Sequence, residues 1–347
     1  QAISAQTHLA SASCVAQPLA QLVCGPPPLR RVATAPPPAL AAAGRQKVGL
    51  GVLTLLGVSS WGWLGRRPLA TSRVMVAPPA HEQAEAHEAR ERLRAIFARH
   101  VAEGLVQAVA QPAAEETAPP PEGWKRVSFI RHGQGYHNLA AEEWTKVEKP
   151  GVPYSLETDP EYRYLDPELT ELGQQQAKAL QARAAALPDV EVIIVSPMRR
   201  ATQTALIGFE RTVAAGVPVV AQELCHETAG KHTCDKRLSL TDLKAQFPQV
   251  DYSECASSEE DPYWGDGLTR ETPEGIAERG AKFVSWLLRR PEQRIVVAAH
   301  SGWLLALFNA VLEVQQADGS TDLRDWFATG EMRTALVGPR SAGGSSL

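Results

Sequence analysis

The chain contains few cysteines, five in 347 residues. This number does not suggest a disulfide framework, which is typical of small, cysteine-dense secreted domains. Residues 225–234 hold a compact group of Cys225, His226, His232 and Cys234. The Cys–His steps in this group are shorter than the two-residue gap that is usual at zinc sites. We therefore expect neither a metal nor a cofactor, and we interpret the segment as a loop near a functional site.

Acidic residues are absent from the first 81 residues, which carry seven basic ones. The whole chain has 35 Lys and Arg against 39 Asp and Glu, so the remainder has 28 basic and 39 acidic residues, a net charge of −11. Sequence-independent nucleic-acid binding relies on basic surfaces. The charge balance therefore argues against a nucleic-acid partner, and it gives no indication of the oligomeric state.

The N-terminal region predicts location rather than chemistry. Residues 1–46 are rich in Ala, Pro, Ser and Gln, which is typical of an organellar transit segment or of a disordered linker. Residue 1 is Gln rather than Met, so we expect further residues before it. Residues 48–64 are uncharged and sit at the short limit for a membrane helix. They predict either a membrane anchor or the apolar part of a cleaved targeting signal.

We therefore assign residues 1–80 to a targeting segment of low complexity. The predicted location is an organelle, a plastid in the first instance, with possible membrane association through residues 48–64; a cytoplasmic protein is the alternative. Residues 81–123 predict a helix, over residues 81–110, followed by a Pro-rich linker. We expect the chemistry to lie beyond that linker, in a catalytic domain at residues 124–340.

The catalytic domain alternates strand-like with helix-like segments. The strand-like runs are residues 126–130, 191–195, 217–221, 294–299 and 332–337, and the helix-like runs are residues 170–187, 199–209, 239–247, 273–290 and 301–313. Thr272 followed by Pro273 predicts the start of the fourth helix, with a capping hydroxyl and a proline at the first position. The alternation predicts an α/β fold, a three-layer α/β/α sandwich around a mainly parallel central sheet.

Three of these strand-like runs end in residues suited to binding phosphate. RHGQGYHN follows the first at residues 131–138, SPMRRATQTA follows the second at residues 196–205, and AHSGWL ends the fourth at residues 299–304. Ligands bind at the carboxyl ends of strands in open α/β sheets. Arg offers a planar fork for phosphate oxygens, and His offers a ring nitrogen that can attack phosphorus. The three motifs together predict a site for a phosphate ester.

These motifs resemble those of the histidine phosphatase superfamily, which includes the cofactor-dependent phosphoglycerate mutases. Three further stretches share the resemblance: LTELGQQQA (169–177), ELCHETAGKHTCDKR (223–237) and RETPEGIAERGAKFVSWL (270–287). The sequence looks most like the plant phosphoglycerate mutase-like proteins, over about residues 124 to 337. The resemblance implies the fold of that superfamily and a phosphohistidine nucleophile at His132. It also implies a phosphate pocket formed by Arg131, Asn138, Arg200 and a protonated His300.

Two assignments depend on the register of the family pattern. An Arg four residues after Ser, before the Ala/Thr run, selects Arg200, so Arg199 is interpreted as a rim residue. The proton donor to the leaving alkoxide is assigned to Glu227, with Glu223 as the main rival and Asp235 as a third candidate. In the mutase pattern the acid lies four residues before a Gly, whereas Glu227 lies three residues before it.

The sequence thus predicts a metal-independent phosphatase that hydrolyses a small phosphorylated substrate through a phosphohistidine on His132. Phosphoglycerate mutase-type phosphoryl transfer is the alternative. The mutase pattern around the nucleophile is RHG-E-S-x-W-N, and this chain departs from it at Gln134, Gly135 and His137. A membrane-tethered binding protein on the same fold, without catalysis, is the second alternative.

Overall fold

The computed structural model of the protein describes residues 80–113, 118–255, 257–315 and 322–340. The predictions for residues 1–79, including the targeting segment and the apolar run at residues 48–64, lie outside the described residues. In the part of the chain that is described, no helix is both long enough and apolar enough to cross a membrane.

The strands form one mixed sheet in the order β5-β4-β3-β6-β2-β8-β1-β7. They are β1 (Ala108–Pro112), β2 (Lys125–Arg131), β3 (Val192–Val195), β4 (Val219–Ala221), β5 (Val250–Asp251), β6 (Arg294–Ala299), β7 (Glu313–Val314) and β8 (Met332–Pro339). The five strands from β5 to β2 run parallel, and β8 is antiparallel to both of its neighbours, β2 and β1. The predicted mainly parallel sheet is confirmed.

Helices cover both faces of the sheet. They are α1 (Ala80–Ala102), α2 (Tyr136–Lys146), α3 (Glu171–Ala184), α4 (Arg199–Gly208), α5 (Glu210–Ala214), α6 (Leu240–Gln246), α7 (Pro273–Arg289) and α8 (Ser301–Ala306). Successive side chains of a strand point to opposite faces. Phe129 accordingly packs in one core with side chains of α1, α7 and α8, whereas Ile130 packs in another with side chains of α3, α4 and α6. This arrangement confirms the α/β/α layering.

The topology brings the three phosphate-binding motifs to one edge of the sheet. Strand β6 lies between β2 and β3 and is parallel to both, so their carboxyl ends are neighbours. The backbone N–H groups of His132 and Ser196, just past β2 and β3, donate to the carbonyls of Ala299 and Ala298 at the end of β6. The first residues of each motif therefore leave the sheet side by side.

Helix α7 begins as its sequence predicts. Pro273 occupies the first turn, and the Thr272 hydroxyl accepts a hydrogen bond from the N–H of Gly275. The helix expected over residues 301–313 is shorter: α8 ends at Ala306, a π-helical turn follows over Leu307–Val311, and β7 comes next. Helix α2 was not predicted, because it follows the glycine-rich motif directly and carries little apolar periodicity.

The region before residue 124 differs from the predicted helix and linker. Helix α1 ends at Ala102, and Gly104 has a φ of +69°, a conformation that favours glycine at helix ends. The chain then forms β1, which pairs with β8 and β7 inside the sheet. Helix α1 packs on the core through Leu93 and Ile96. The folded unit thus includes α1 and β1, ahead of the boundary expected at residue 124.

Candidate active site

A cavity of about 300 Å³ lies where strands β2 and β6 end. Its lining includes Arg131, His132, Asn138, Glu227 and Ser301, from three segments that are distant in the sequence. Arg200 and His300 lie behind this surface and are almost completely buried. The structure therefore brings together the residues that the sequence assigns to phosphate chemistry.

The turn after β2 is held by a close approach of two glycines. A Cβ atom at Gly133 would lie 2.4 Å from the carbonyl oxygen of Gly173 in helix α3. The N–H of Gly133 donates to the hydroxyl of Thr204 in helix α4, at 3.0 Å. Glycine is thus required here for packing, and the two contacts fix the backbone beside His132.

His132 is positioned as a neutral ring with one defined tautomer. Its Nδ1 lies 2.6 Å from the carbonyl oxygen of Gly133, which can only accept, so Nδ1 carries the proton. The Nε2 atom then holds the lone pair and accepts from Nε of Arg200 at 3.3 Å. Burial, followed by the charges of Arg200 and Arg131, holds the pKa of His132 well below its usual value. The ring therefore presents an unprotonated nitrogen.

Arg200 is fixed by contacts along its whole guanidinium group. Besides the Nε contact to His132, it donates to the carbonyl of Cys234 at 2.8 Å and to the carboxylate of Asp235 at 3.0 Å. The other oxygen of Asp235 accepts from Arg270 at 2.7 Å. Burial would raise the pKa of Asp235, but Arg270 and Arg200 together lower it below its usual value. Asp235 is thus an anchor for two arginines.

Arg131 adds a second guanidinium group to the site, and His300 adds a second imidazole ring. Arg131 donates to the carbonyl of Phe327 at 2.9 Å and lies over the ring of Trp326. Nε2 of His300 is 2.8 Å from the hydroxyl of Ser196, while its buried Nδ1 has no hydrogen-bond partner within the described residues. The rings of His300 and His132 are 5.0 Å apart.

The surroundings of His300 do not favour the protonated form that the sequence analysis expected. Burial, followed by the neighbouring Arg200, lowers the pKa of His300 well below its usual value. A second cation beside a buried guanidinium is disfavoured unless an anion lies between them. His300 therefore offers a neutral ring, and the positive charge near His132 comes from arginine.

Of the three candidate acids, Glu227 is placed best for proton transfer. It lines the cavity, and its carboxylate accepts from the backbone N–H groups of Thr228, Gly302 and Trp303 at 2.8, 3.2 and 3.0 Å. Glu223 is ion-paired with buried Arg237 and does not line the cavity. The carboxylate of the third candidate, Asp235, is ion-paired with Arg200 and Arg270.

Asn138 and Arg199 make contacts that hold the fold around the cavity. The Oδ1 atom of Asn138 accepts from the N–H of Gly135 at 3.0 Å, which starts helix α2 at the cavity wall. Arg199 points away from the cavity: it donates to the carbonyls of Asp166 and Leu165 and pairs with Glu168. The preference for Arg200 over Arg199 agrees with this geometry.

The Cys/His segment does not converge on one point. His226 has Nδ1 2.9 Å from the carbonyl of Glu227 and Nε2 3.1 Å from Asp261. Burial lowers the pKa of His226, but Asp261 raises it to about 9, so both nitrogens carry protons. In the described ranges, metal-ligand spacing is found in Glu223, His226 and Asp261. A doubly protonated ring is a poor metal ligand, so this group fits an ion pair better.

Several residues of the site were not predicted from the sequence. Arg270 lines the cavity, and Arg279 in α7 holds the loop that carries the candidate acid by donating to the carbonyls of Leu224, His226 and Glu227. Both arginines stand in the stretch at residues 270–287 that contributes to the family resemblance, but the sequence assigned no role to either. Helix α1, expected to lie outside the site, lines the cavity through Ala89 and Leu93.

Comparisons with known proteins show which family the chain resembles. A family model described as the histidine phosphatase superfamily (branch 1) matches residues 155–322, which include Arg200, Glu227 and His300. Phosphoglycerate mutase-like protein 1 of Arabidopsis thaliana is 32% identical over 249 residues, 64% of this chain and 84% of that protein. A probable phosphatase of Schizosaccharomyces pombe is 30% identical over 203 residues, 57% of this chain and 82% of that protein.

A solved structure of a mycobacterial glucosyl-3-phosphoglycerate phosphatase with VO3 is 23% identical, with a TM-score of 0.36. The match covers 60% of this chain and 90% of the mycobacterial one. The family of the chain is shown by its sequence matches to the family model and to the Arabidopsis protein. The chain belongs to the histidine phosphatase superfamily, with plant phosphoglycerate mutase-like proteins among its relatives, and is a phosphoryl-transfer enzyme of the phosphatase and mutase-like type.

Proposed function

We propose that the protein is a phosphatase that hydrolyses a small phosphomonoester through a phosphohistidine on His132. The observation that carries this proposal is the state of His132: a buried neutral ring with its proton on Nδ1 and its Nε2 beside Arg200. A neutral, oriented imidazole beside a fixed cation is what nucleophilic attack on a phosphoryl group requires.

In the first step, Nε2 of His132 attacks phosphorus, and the bond from phosphorus to the ester oxygen breaks. Arg200 and Arg131 stabilise the charge on the phosphoryl oxygens. The alkoxide takes a proton from Glu227 and leaves as the alcohol. The ring becomes cationic as it is phosphorylated, and the Nδ1–H bond to the carbonyl of Gly133 stabilises that charge. The positive charge that the step needs comes from arginines, which supports a metal-independent reaction.

In the second step, Glu227 accepts a proton from water, the water oxygen attacks phosphorus, and the phosphorus–nitrogen bond breaks. His132 returns to its neutral form and inorganic phosphate leaves. The buried Nδ1 of His300, which has no partner among the described residues, is available to donate to or accept from the phosphoryl group as its charge changes. The same acid thus serves both half-reactions.

The residues that depart from the mutase pattern are fitted to their neighbours in this structure. Gln134 is held at both ends, since it donates to Glu142 and accepts from Thr170. A Cβ atom at Gly135 would lie 2.7 Å from Nδ1 of His137. Glycine at residue 135 and histidine at residue 137 therefore go together, since a side chain at residue 135 would require His137 to move.

One assay separates the candidate functions. The purified chain is incubated with p-nitrophenyl phosphate and, separately, with 3-phosphoglycerate, each with and without a chelator and bisphosphoglycerate. We expect release of nitrophenolate that the chelator does not change, and no conversion of 3-phosphoglycerate into its 2-phospho isomer. Isomerisation that depends on bisphosphoglycerate would indicate a mutase, and no turnover of either compound would indicate a binding protein.

The role of Glu227 has its own test. Glu227→Gln should slow hydrolysis of an alkyl phosphate by roughly 10²- to 10⁴-fold, because the alkoxide loses its proton donor. With p-nitrophenyl phosphate, whose leaving group is a stable anion, the first step should survive. Stopped-flow absorbance should then show a burst of one nitrophenolate per active site, followed by slow turnover.

Glu223→Gln is the matched control for this test. Glu223 is paired with Arg237 away from the cavity, so its substitution should lower the melting temperature without changing how the rate depends on the leaving group. A burst in the Glu223 variant, and none in the Glu227 variant, would assign the acid to Glu223.

A further inference from the structure

Part of the cavity lining is apolar, and helix α1 forms some of it. Ala89 and Leu93 of α1 line the cavity together with Ile276 of α7 and Leu305 of α8. Leu93, Ile276 and Leu305 are buried in the core and at least 95% covered, so this surface is fixed rather than mobile. A substrate that occupies the whole cavity therefore has to place some of its surface against aliphatic side chains.

The charged groups of the lining oppose a second anionic group on the substrate. Besides Glu227, the cavity is lined by Asp235 and Glu271, and both are ion-paired: Asp235 with Arg200 and Arg270, and Glu271 with Arg279. The two guanidinium groups of the lining are also engaged, because Arg270 is held by Asp235 at 2.7 Å and Arg131 belongs to the phosphoryl site. A carboxylate or second phosphate on the leaving group would thus find no further cation in the part of the lining that the structure describes.

The histidines of the lining do not change this balance. Burial lowers the pKa of His137 well below its usual value, with Arg200 as the next cause. Burial, followed by Arg270, lowers the pKa of His232 to about 4. Both rings are neutral near pH 7 and add no cation to the cavity lining.

From the apolar surface and this charge balance, we propose that the substrate is the phosphate monoester of a mainly apolar alcohol, with its carbon body against helix α1. The proposal rests on the phosphatase function proposed above and adds the class of the leaving group. The phosphoryl group supplies the substrate's negative charge, and the alcohol gains from leaving water for an apolar surface. A phosphorylated carboxylic acid lacks such a body and carries the additional anion that the lining disfavours.

The test compares methyl phosphate, n-hexyl phosphate and 3-phosphoglycerate as substrates of the full chain, by release of inorganic phosphate. The wild type should cleave the hexyl ester with a kcat/KM roughly tenfold or more above that of the other two, since each added methylene in an apolar pocket contributes to discrimination. Ala89→Leu, which extends a side chain into the cavity, should lower kcat/KM for the hexyl ester by about tenfold more than it lowers kcat/KM for methyl phosphate.

Ala95→Leu is the matched control, because Ala95 lies exposed on the same helix. It should leave both rates unchanged. If the wild type cleaves 3-phosphoglycerate or methyl phosphate as well as hexyl phosphate, or if Ala89→Leu slows both alkyl esters equally, the substrate class is wrong while the phosphatase function stands. If the wild type cleaves no phosphomonoester, including p-nitrophenyl phosphate, the proposed function itself fails.

Discussion

Replacing His132 with alanine is expected to lower the rate of phosphate release by roughly a thousandfold or more, which is the scale seen when a covalent nucleophile is removed. Binding alone cannot replace the attack of Nε2 on phosphorus. The fold should be retained, because the lost hydrogen bonds join His132 only to the carbonyl of Gly133 and to Nε of Arg200, which keeps its bonds to Cys234 and Asp235. Initial rates with p-nitrophenyl phosphate and the melting temperature measure the two effects.

His137→Ala is the matched control for this substitution. The two rings are 5.6 Å apart, both line the cavity, and burial lowers the pKa of both. If His132 is the nucleophile, the His137 variant should stay within about tenfold of the wild type, since it changes only the shape of the cavity wall. Equal losses in the two variants, or a large loss in His137→Ala alone, would contradict the assignment.

Arg200→Lys is expected to lower the rate by roughly 10²- to 10³-fold, although the charge is kept. Nε, Nη1 and Nη2 of Arg200 bind three different groups at once, namely His132, the carbonyl of Cys234 and the carboxylate of Asp235. A lysine ammonium is a single point on a flexible stem and cannot hold this geometry. The loss should appear in kcat for p-nitrophenyl phosphate.

Arg199→Lys is the matched control, because it makes the same substitution at the neighbouring arginine. Arg199 contacts Asp166, Leu165 and Glu168 outside the cavity, so the substitution should change the rate by less than about threefold. A larger loss in Arg199→Lys than in Arg200→Lys would show that the register of this helix start is misassigned.

The sequence predicts the site well where the chemistry lies at the ends of strands. The runs before Ser196 and His300 are mostly continuous and apolar, whereas the run before His132 also contains Arg126 and Ser128. Parallel pairing of the three strands then places the motifs side by side. The choice of Arg200 over Arg199 follows from the pattern of the family that the motif resembles. These features depend on local order and on one topological rule.

Features that depend on distant parts of the chain were not predictable. The position of Glu227 is set by backbone N–H groups of Gly302 and Trp303, far along the sequence, and no spacing within its own loop reveals them. The protonation of His300 depends on its burial beside Arg200, which sequence patterns do not show.

The N-terminal part of the fold was missed for a similar reason. Strand β1 is short, ends in Pro112, and is defined by its pairing with β8 and β7 rather than by its own residues. Helix α1 was predicted, but its place at the cavity depends on the packing of Leu93 and Ile96 against the core. Contacts between distant residues decided both elements.

The central claim, a covalent phosphohistidine on His132, is tested most directly by trapping the intermediate. Glu227→Gln, in which hydrolysis of the intermediate should be slow, is mixed with p-nitrophenyl phosphate labelled on phosphorus. The reaction is stopped in alkaline denaturant, because phosphohistidine hydrolyses in acid, and the labelled peptide is identified by mass spectrometry. We expect about one label per chain, carried by His132. Adding more alkyl phosphate should not increase the amount of label. A nitrophenolate burst without protein-bound label, or label on any other residue, would contradict it.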